Sequence, residues 1–133
     1  MKPGSVRDLK AMLVGMDPVL SERAWCFQPL NDTRFIPDTV FAIIREDEGA
    51  NCVIPAQAAE PGAAQFARIT LQINSDLEGV GLTAAVSNTL ATSGIACNVI
   101  AGLHHDHLFV PYDRRDEALA LLQKLSLDAR REI

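Results

Sequence analysis

Two short stretches concentrate the residue types that do chemistry. The first is Gly79-Val80-Gly81-Leu82-Thr83-Ala84, a G-x-G-x-x-A pattern between a strand-like and a helix-like run. Glycines at that spacing let a backbone approach a phosphate, as in dinucleotide-binding turns. The context argues against that use. The glycines should follow the strand directly, yet the four residues 75–78 intervene after Asn74. Too little chain follows for a doubly wound sheet. What remains is a helix start. Its first N–H groups lack intrahelical partners and sit in positive potential, which suits a carboxylate. Gly81 has no side chain to block approach, so a small anionic metabolite can rest on the Gly81 and Leu82 N–H groups.

The second stretch is His104-His105-Asp106-His107. Three imidazoles and a carboxylate are metal-ligand types. Successive strand residues point to opposite faces, so only His105 and His107 can share one ion unless the turn curls. The plainer expectation is a polar turn in which Asp106 orients a histidine. No Ser or Cys is singled out by spacing as a partnered nucleophile. Two further features are polar groups in unusual places. Asn98 is a lone amide in the apolar run 95–100, and a buried amide needs partners. Those are either the backbone of a neighbouring strand or the polar groups of a ligand beside the helix start. Glu46-Asp47-Glu48 reads as a solvated hairpin tip, since a divalent cation needs more oxygen ligands than it offers.

The elements that must position these groups follow from periodicity. Residues 68–74 alternate polar and apolar, so Ile69, Leu71 and Ile73 share one face of a strand. Leu82, Val86 and Leu90 recur every four residues, which is a buried helical stripe. Gly94 is placed to end that helix in the left-handed conformation. Residues 95–101 and 107–111 read as strands joined by a hairpin. After Pro111, Asp113 is a candidate N-cap, and Ala118, Leu119, Leu121, Leu122 and Leu125 give residues 114–126 an apolar helical face. The tail from Asp128 is expected to fray or to dock loosely.

Upstream, Ser5 is the expected N-cap of a short helix carrying Leu9, Met12, Leu13 and Met16. Residues 19–29 read as a strand centred on Trp25, Cys26 and Phe27, and residues 30–38 as a loop. Residues 39–44 are apolar enough for a central strand. The 46–49 turn leads to a return strand, 51–54. Pro55 suits the first position of a small helix, 56–60. Pro61-Gly62 is the best boundary between two halves.

The 133 residues suffice for one domain or two very small ones, and 48% hydrophobic residues supply a real core. A net charge of -5 argues against nucleic acid as a partner. No apolar run approaches the roughly 20 residues of a membrane helix. The opening MKPGSVRDLK lacks the apolar core of a signal peptide. A cytoplasmic protein with no membrane partner is therefore expected. Cys26, Cys52 and Cys97 are odd in number, lack CxxC spacing and lie in apolar runs, which fits buried reduced thiols.

Strand, loop, glycine-opened helix, strand, hairpin, strand, helix is most of a βαββαβ ferredoxin-like unit. The segments 77–86 and 94–102 together resemble an ACT domain. The whole chain resembles the small stand-alone bacterial ACT-domain proteins related to the regulatory ends of aspartokinases. That likeness rests on Glu46-Asp47-Glu48-Gly49 with Pro55, on residues 75–85, and on His105-Asp106-His107-Leu108-Phe109-Val110-Pro111. It implies an α+β fold with mostly antiparallel sheet and helices on one face. It also implies a non-catalytic regulatory or sensor protein without cofactor or metal. Its ligand would be an amino acid or similar small molecule, held where two domains pair. The family's contacts, carried onto this chain, fall on Leu77, Glu78, Gly81, Leu82, Cys97, Asn98 and Val99.

The chain departs from the single-domain pattern. No fourth strand follows the 114–126 helix, and the first half has no long helix between its first two strands. The implied arrangement is tandem, with halves 1–62 and 63–133 completing one another's sheets. Unpaired sheet edges favour a homodimer. The alternative is a metal-binding protein or metal-dependent enzyme built on the His105-Asp106-His107 hairpin. A third is a partner module that uses only its sheet edge.

Overall fold

The computed structural model describes residues 4–132. Helix α1 (Leu9–Val14) is capped by Asp8, whose carboxylate accepts the Ala11 N–H at 2.9 Å. Ser5, expected in that role, instead donates its hydroxyl to the buried Asp76 at 2.9 Å. Six strands follow in one sheet: β1 (Pro18–Pro29), β2 (Ala42–Glu46), β3 (Gly49–Pro55), β4 (Phe66–Leu71), β5 (Asn98–Ala101) and β6 (Asp106–Pro111). Their order is β2-β3-β1-β4-β6-β5, with every pairing antiparallel. β4 is thus flanked by β1 and β6. β1 takes the place beside β4 that a fourth strand of the C-terminal unit would fill, so the sheet runs unbroken across Pro61-Gly62.

The strand at 42–46 lies at an edge rather than at the centre. The ladder starts at Ala42, and Phe41 is spent on the face of the sheet, edge-on to Trp25 at 5.7 Å. The expected 56–60 helix shrinks to one 3-10 turn, Ala56–Ala58, with Pro55 as its cap residue.

All helices pack on one face. Helix α2 (Leu82–Thr92) buries Leu82, Val86 and Leu90 against Ala67, Ile69 and Leu71 of β4 and Leu108 and Val110 of β6. Met12 and Met16 enter the same core from the other half of the chain. α2 ends as its sequence dictates. Gly94 (φ 71°) donates to Ala91 O at 2.9 Å, and Ile95 N–H reaches back to Leu90 O at 3.0 Å. Helix α3 (Arg115–Arg131) is preceded by a 3-10 turn, Tyr112–Arg114. Asp113 lies in that turn and Arg114 is the cap residue, without a side-chain cap bond. The helix does not fray at 128. Ala129 is buried, and the Ser126 hydroxyl donates to Val14 O at 3.1 Å, so the last turns are docked on the end of α1.

Among the described residues, the opposite face carries no helix. It holds an aromatic cluster of Trp25, Phe27, Phe41, Phe66 and Phe109, edge to face at 5.3–5.9 Å.

Leu90→Ala is expected to cost about 2–5 kcal/mol in urea unfolding, because the side chain is fully enclosed between two layers. Leu127→Ala, on the half-exposed side of α3, should stay within about 0.5 kcal/mol of the parent.

Candidate functional site

The loop between β4 and α2 is organised around Asp76, whose side chain is only 5% exposed. Its Oδ1 accepts the Glu78 N–H at 2.8 Å and its Oδ2 accepts the Ser5 hydroxyl at 2.9 Å. The Arg7 guanidinium stands 3.4 Å from Oδ1 and 2.7 Å from Glu78. The Glu78 N–H above all, helped by Ser5 and Arg7, holds the Asp76 carboxyl below the usual carboxylate range against the opposing effect of burial. Backbone bonds complete the clamp: Val6 N–H to Asn74 O and Asp76 N–H to Val6 O, both at 2.8 Å. The N-terminal segment therefore straps the loop in place.

Next to the loop lies a cavity of about 190 Å³. Ser75, Asp76, Leu77 and Gly79 line it from the loop, and Gly81, Leu82, Thr83 and Ala84 from the helix start. Met12, Ala101 and Asp106 complete it. α2 has no side-chain cap, and its first internal bond runs from Ala85 N–H to Gly81 O at 2.9 Å. The amides of Leu82, Thr83 and Ala84 have no intrahelical partner. The cavity therefore has uncapped, positively polarised amides and an acid, Asp106, whose Oδ2 receives only a long bond of 3.3 Å from the Ser75 hydroxyl. That combination suits a small molecule bearing both a carboxylate and an ammonium group.

Of the residues expected from sequence, Leu77, Gly81 and Leu82 line this cavity. Glu78 adjoins it but turns outward to Arg7. Cys97 and Val99 pack on the helix-side core. Asn98 pairs with Phe109 across β5 and β6 and so faces the helix-free side. It is exposed rather than buried, because β5 is the outermost strand. One chain does not gather these last three around the cavity. Gly81 also has a different role from the one its spacing suggests. It adopts φ 108°, and a Cβ there would meet Leu9 Cδ2 at 3.0 Å. Glycine is required by the backbone and by Leu9, not to clear a path for a ligand.

The cavity lining adds Thr83, Ala84, Ser75, Asp76 and Asp106, which the sequence did not assign to a ligand. Counting the first free amides of a helix points to Thr83 and Ala84. Strand alternation from the buried Leu108 puts Asp106 on the helix side.

The histidines diverge from that acid. His107 lies on the helix-free face, within 2.9 Å of Thr70 Oγ1 through Nδ1 and edge-on to Phe41 at 4.8 Å. Asp106 bonds Ser75 and does not orient a histidine. Burial first, then the Arg68 charge, pushes the His107 pKa down. Among the described residues no three His, Cys, Asp or Glu side chains group as metal ligands. Cys26 and Cys52 are buried and Cys97 half-buried, all free, with burial pushing each thiol pKa up.

Residues 65–124 match the model of a family described as ACT domain. A protein of unknown function from Vibrio cholerae, described as a possible transport protein, is 38% identical, with a TM-score of 0.72 over 85% of this chain and 92% of that one. The ligand-free regulatory subunit of aspartate kinase from Thermus thermophilus shares the fold at 12% identity, with a TM-score of 0.59 over 81% and 95%. A structure of aspartokinase alpha and beta subunits does so at 13%, with a TM-score of 0.55 over 81% and 95%. No functionally curated protein matches.

Asp76 yields a pH signature. Its folded pKa lies below 3.8, so the stability it confers is present above that value and is lost as pH falls through the folded pKa. Asp76→Asn should be less stable than the parent at neutral pH, and the two urea midpoints should converge on acidification. A constant gap across pH would show that the charge of Asp76 contributes nothing.

Proposed function

The chain belongs to the ACT-domain family, and from that premise we propose a non-catalytic regulatory protein that binds an amino acid at the start of α2. The observation that carries this reading is the set of uncapped amides of Leu82, Thr83 and Ala84 around a cavity that Asp106 also lines. The ligand carboxylate rests on the amides, where the helix macrodipole favours negative charge. The ligand ammonium takes Asp106 in preference to Asp76, whose oxygens are already engaged by Ser5, Arg7 and the Glu78 N–H. Fold similarity to the regulatory subunit of an aspartate kinase supports a regulatory role over a catalytic one.

The reading extends to assembly. β2 and β5 are the open edges of the sheet. Pairing of two β5 edges would build a homodimer and carry residues 97–99 of a second copy towards the cavity, which gives Cys97, Asn98 and Val99 their place. Ligand binding would stiffen the 75–79 loop. Through Arg7 and Val6 that effect reaches the first half, 1–62, which shares its sheet with 63–133. No helix among the described residues is long and apolar enough to cross a membrane.

A thermal-shift screen of the common amino acids tests the site. At least one should raise the melting temperature, by an amount equivalent to about 2.7 kcal/mol at a hundredfold excess over Kd. Asp106→Asn should lose that response while remaining folded. Gly81 is a poor probe, because any side chain there is strained by φ and by Leu9. A screen without a single stabilising amino acid would sink the proposal. Sedimentation should give twice the 14.4 kDa chain mass.

A further inference from the structure

Arg68 stands on β4 in the middle of the helix-free face. Its guanidinium lies 4.7 Å from the Trp25 ring centroid and 4.4 Å from that of Phe41. Its Nε is buried without a hydrogen-bond partner, and among the described residues it forms no ion pair. A half-buried cation without a counter-ion is costly. Desolvation pushes its pKa down, and the two rings offset only part of the cost. The side chain is held in position, and its natural complement is missing.

The neighbouring strand opens at the same point. Between β1 and β4 the register passes from Leu20 opposite Ile69 to Ala24 opposite Ala67. Residues 21–23 of β1 therefore bulge opposite Arg68 alone. Bulges of this kind re-aim side chains and recur beside functional sites. Here the bulge, with Trp25 and Arg68, borders an open surface pocket of about 340 Å³. Ser21 Oγ accepts the Trp25 Nε1–H and the Arg23 N–H, both at 3.4 Å, which leaves its own hydrogen to donate. Arg23 lines the pocket as a second cation, and Glu22 as its single acid.

We propose that Arg68, Arg23 and the Ser21 hydroxyl form a binding site for a small oxyanion, a carboxylate or phosphate group, on the opposite face of the sheet from the α2 cavity. The planar guanidinium fork matches either group with two parallel N–H bonds. Trp25 and Phe41 hold the fork in place. Glu22 repels the anion and limits its affinity. The site is independent of the amino-acid reading, since it uses no residue of that cavity.

The test is an NMR titration of the intact chain carrying 15N-arginine. Inorganic phosphate is added in one arm and succinate in another, against sodium chloride at equal ionic strength. One Nε–H resonance should move saturably, and it should be the one missing from Arg68→Lys. Arg68→Met lays an unbranched apolar chain over the two rings, and phosphate affinity should fall about tenfold or more. Glu22→Gln should bind phosphate several-fold more tightly. If Arg68→Met fails to fold, Arg23→Gln at its exposed site keeps the question open to measurement: it should weaken binding several-fold, and unchanged affinity there would overturn the proposal. A saturable response to only one of the two anions supports the site and names its source. Linear shifts equal to those in chloride would overturn it. So would an Arg68 resonance that moves with protein concentration alone, which would place an acidic group of a second copy there.

Discussion

The two-residue period of β4 is the constraint on which the rest depends. This strand has β1 on one side and β6 on the other, so each of its side chains must go up or down. Ala67, Ile69 and Leu71 go to the helices, while Phe66, Arg68 and Thr70 go to the helix-free face. A slip of one residue would put a guanidinium into the main core and two branched aliphatics onto the aromatic face. The same alternation in β6 sends Leu108 and Asp106 to one side and Phe109 and His107 to the other. Both candidate sites follow from it. One forms where the helix side ends in Asp106, and the other where the reverse side carries Arg68.

The helix start beside Asp106 illustrates how a polar feature is held inside an apolar frame. Gly81 supplies a backbone turn that other residues adopt only under strain, and Leu9 closes over it. Asp76 does not cap α2. It is used one turn earlier, to fold the loop and to fasten it to Ser5 and Arg7. The helix amides are thereby left without the side chain that usually satisfies them.

What the sequence revealed and what it hid divide along a physical line. Local signals were legible. The Leu82, Val86, Leu90 stripe and the Gly94 stop depend on residues within a few turns of one another, and both appear in place. The ACT-like order of strands and helices was legible for the same reason. Long-range choices were not. Whether residues 42–46 lie at the centre or the edge of the sheet depends on which strands pair, not on their own apolar character. Ser5 and Asp8 are both good caps, and the choice between them was made by Asp76, far along the chain. The length of α3 was set by the docking of Ser126 and Ala129 on α1. Asn98 looked buried because its neighbours are apolar, but β5 has no strand beyond it. Arg68 stood out in no pattern, since its lack of a counter-ion is visible only in three dimensions.

The placement of β1 also bears on the order of events during synthesis. β1 leaves the ribosome early and meets β3 soon after, but the seat it occupies beside β4 does not exist until residues 66–71 have been made. Until then one side of this long strand is an open template for chance association with other nascent chains. Joining these distant segments carries a chain-entropy cost that must be met before any contact between β1 and β4 repays it.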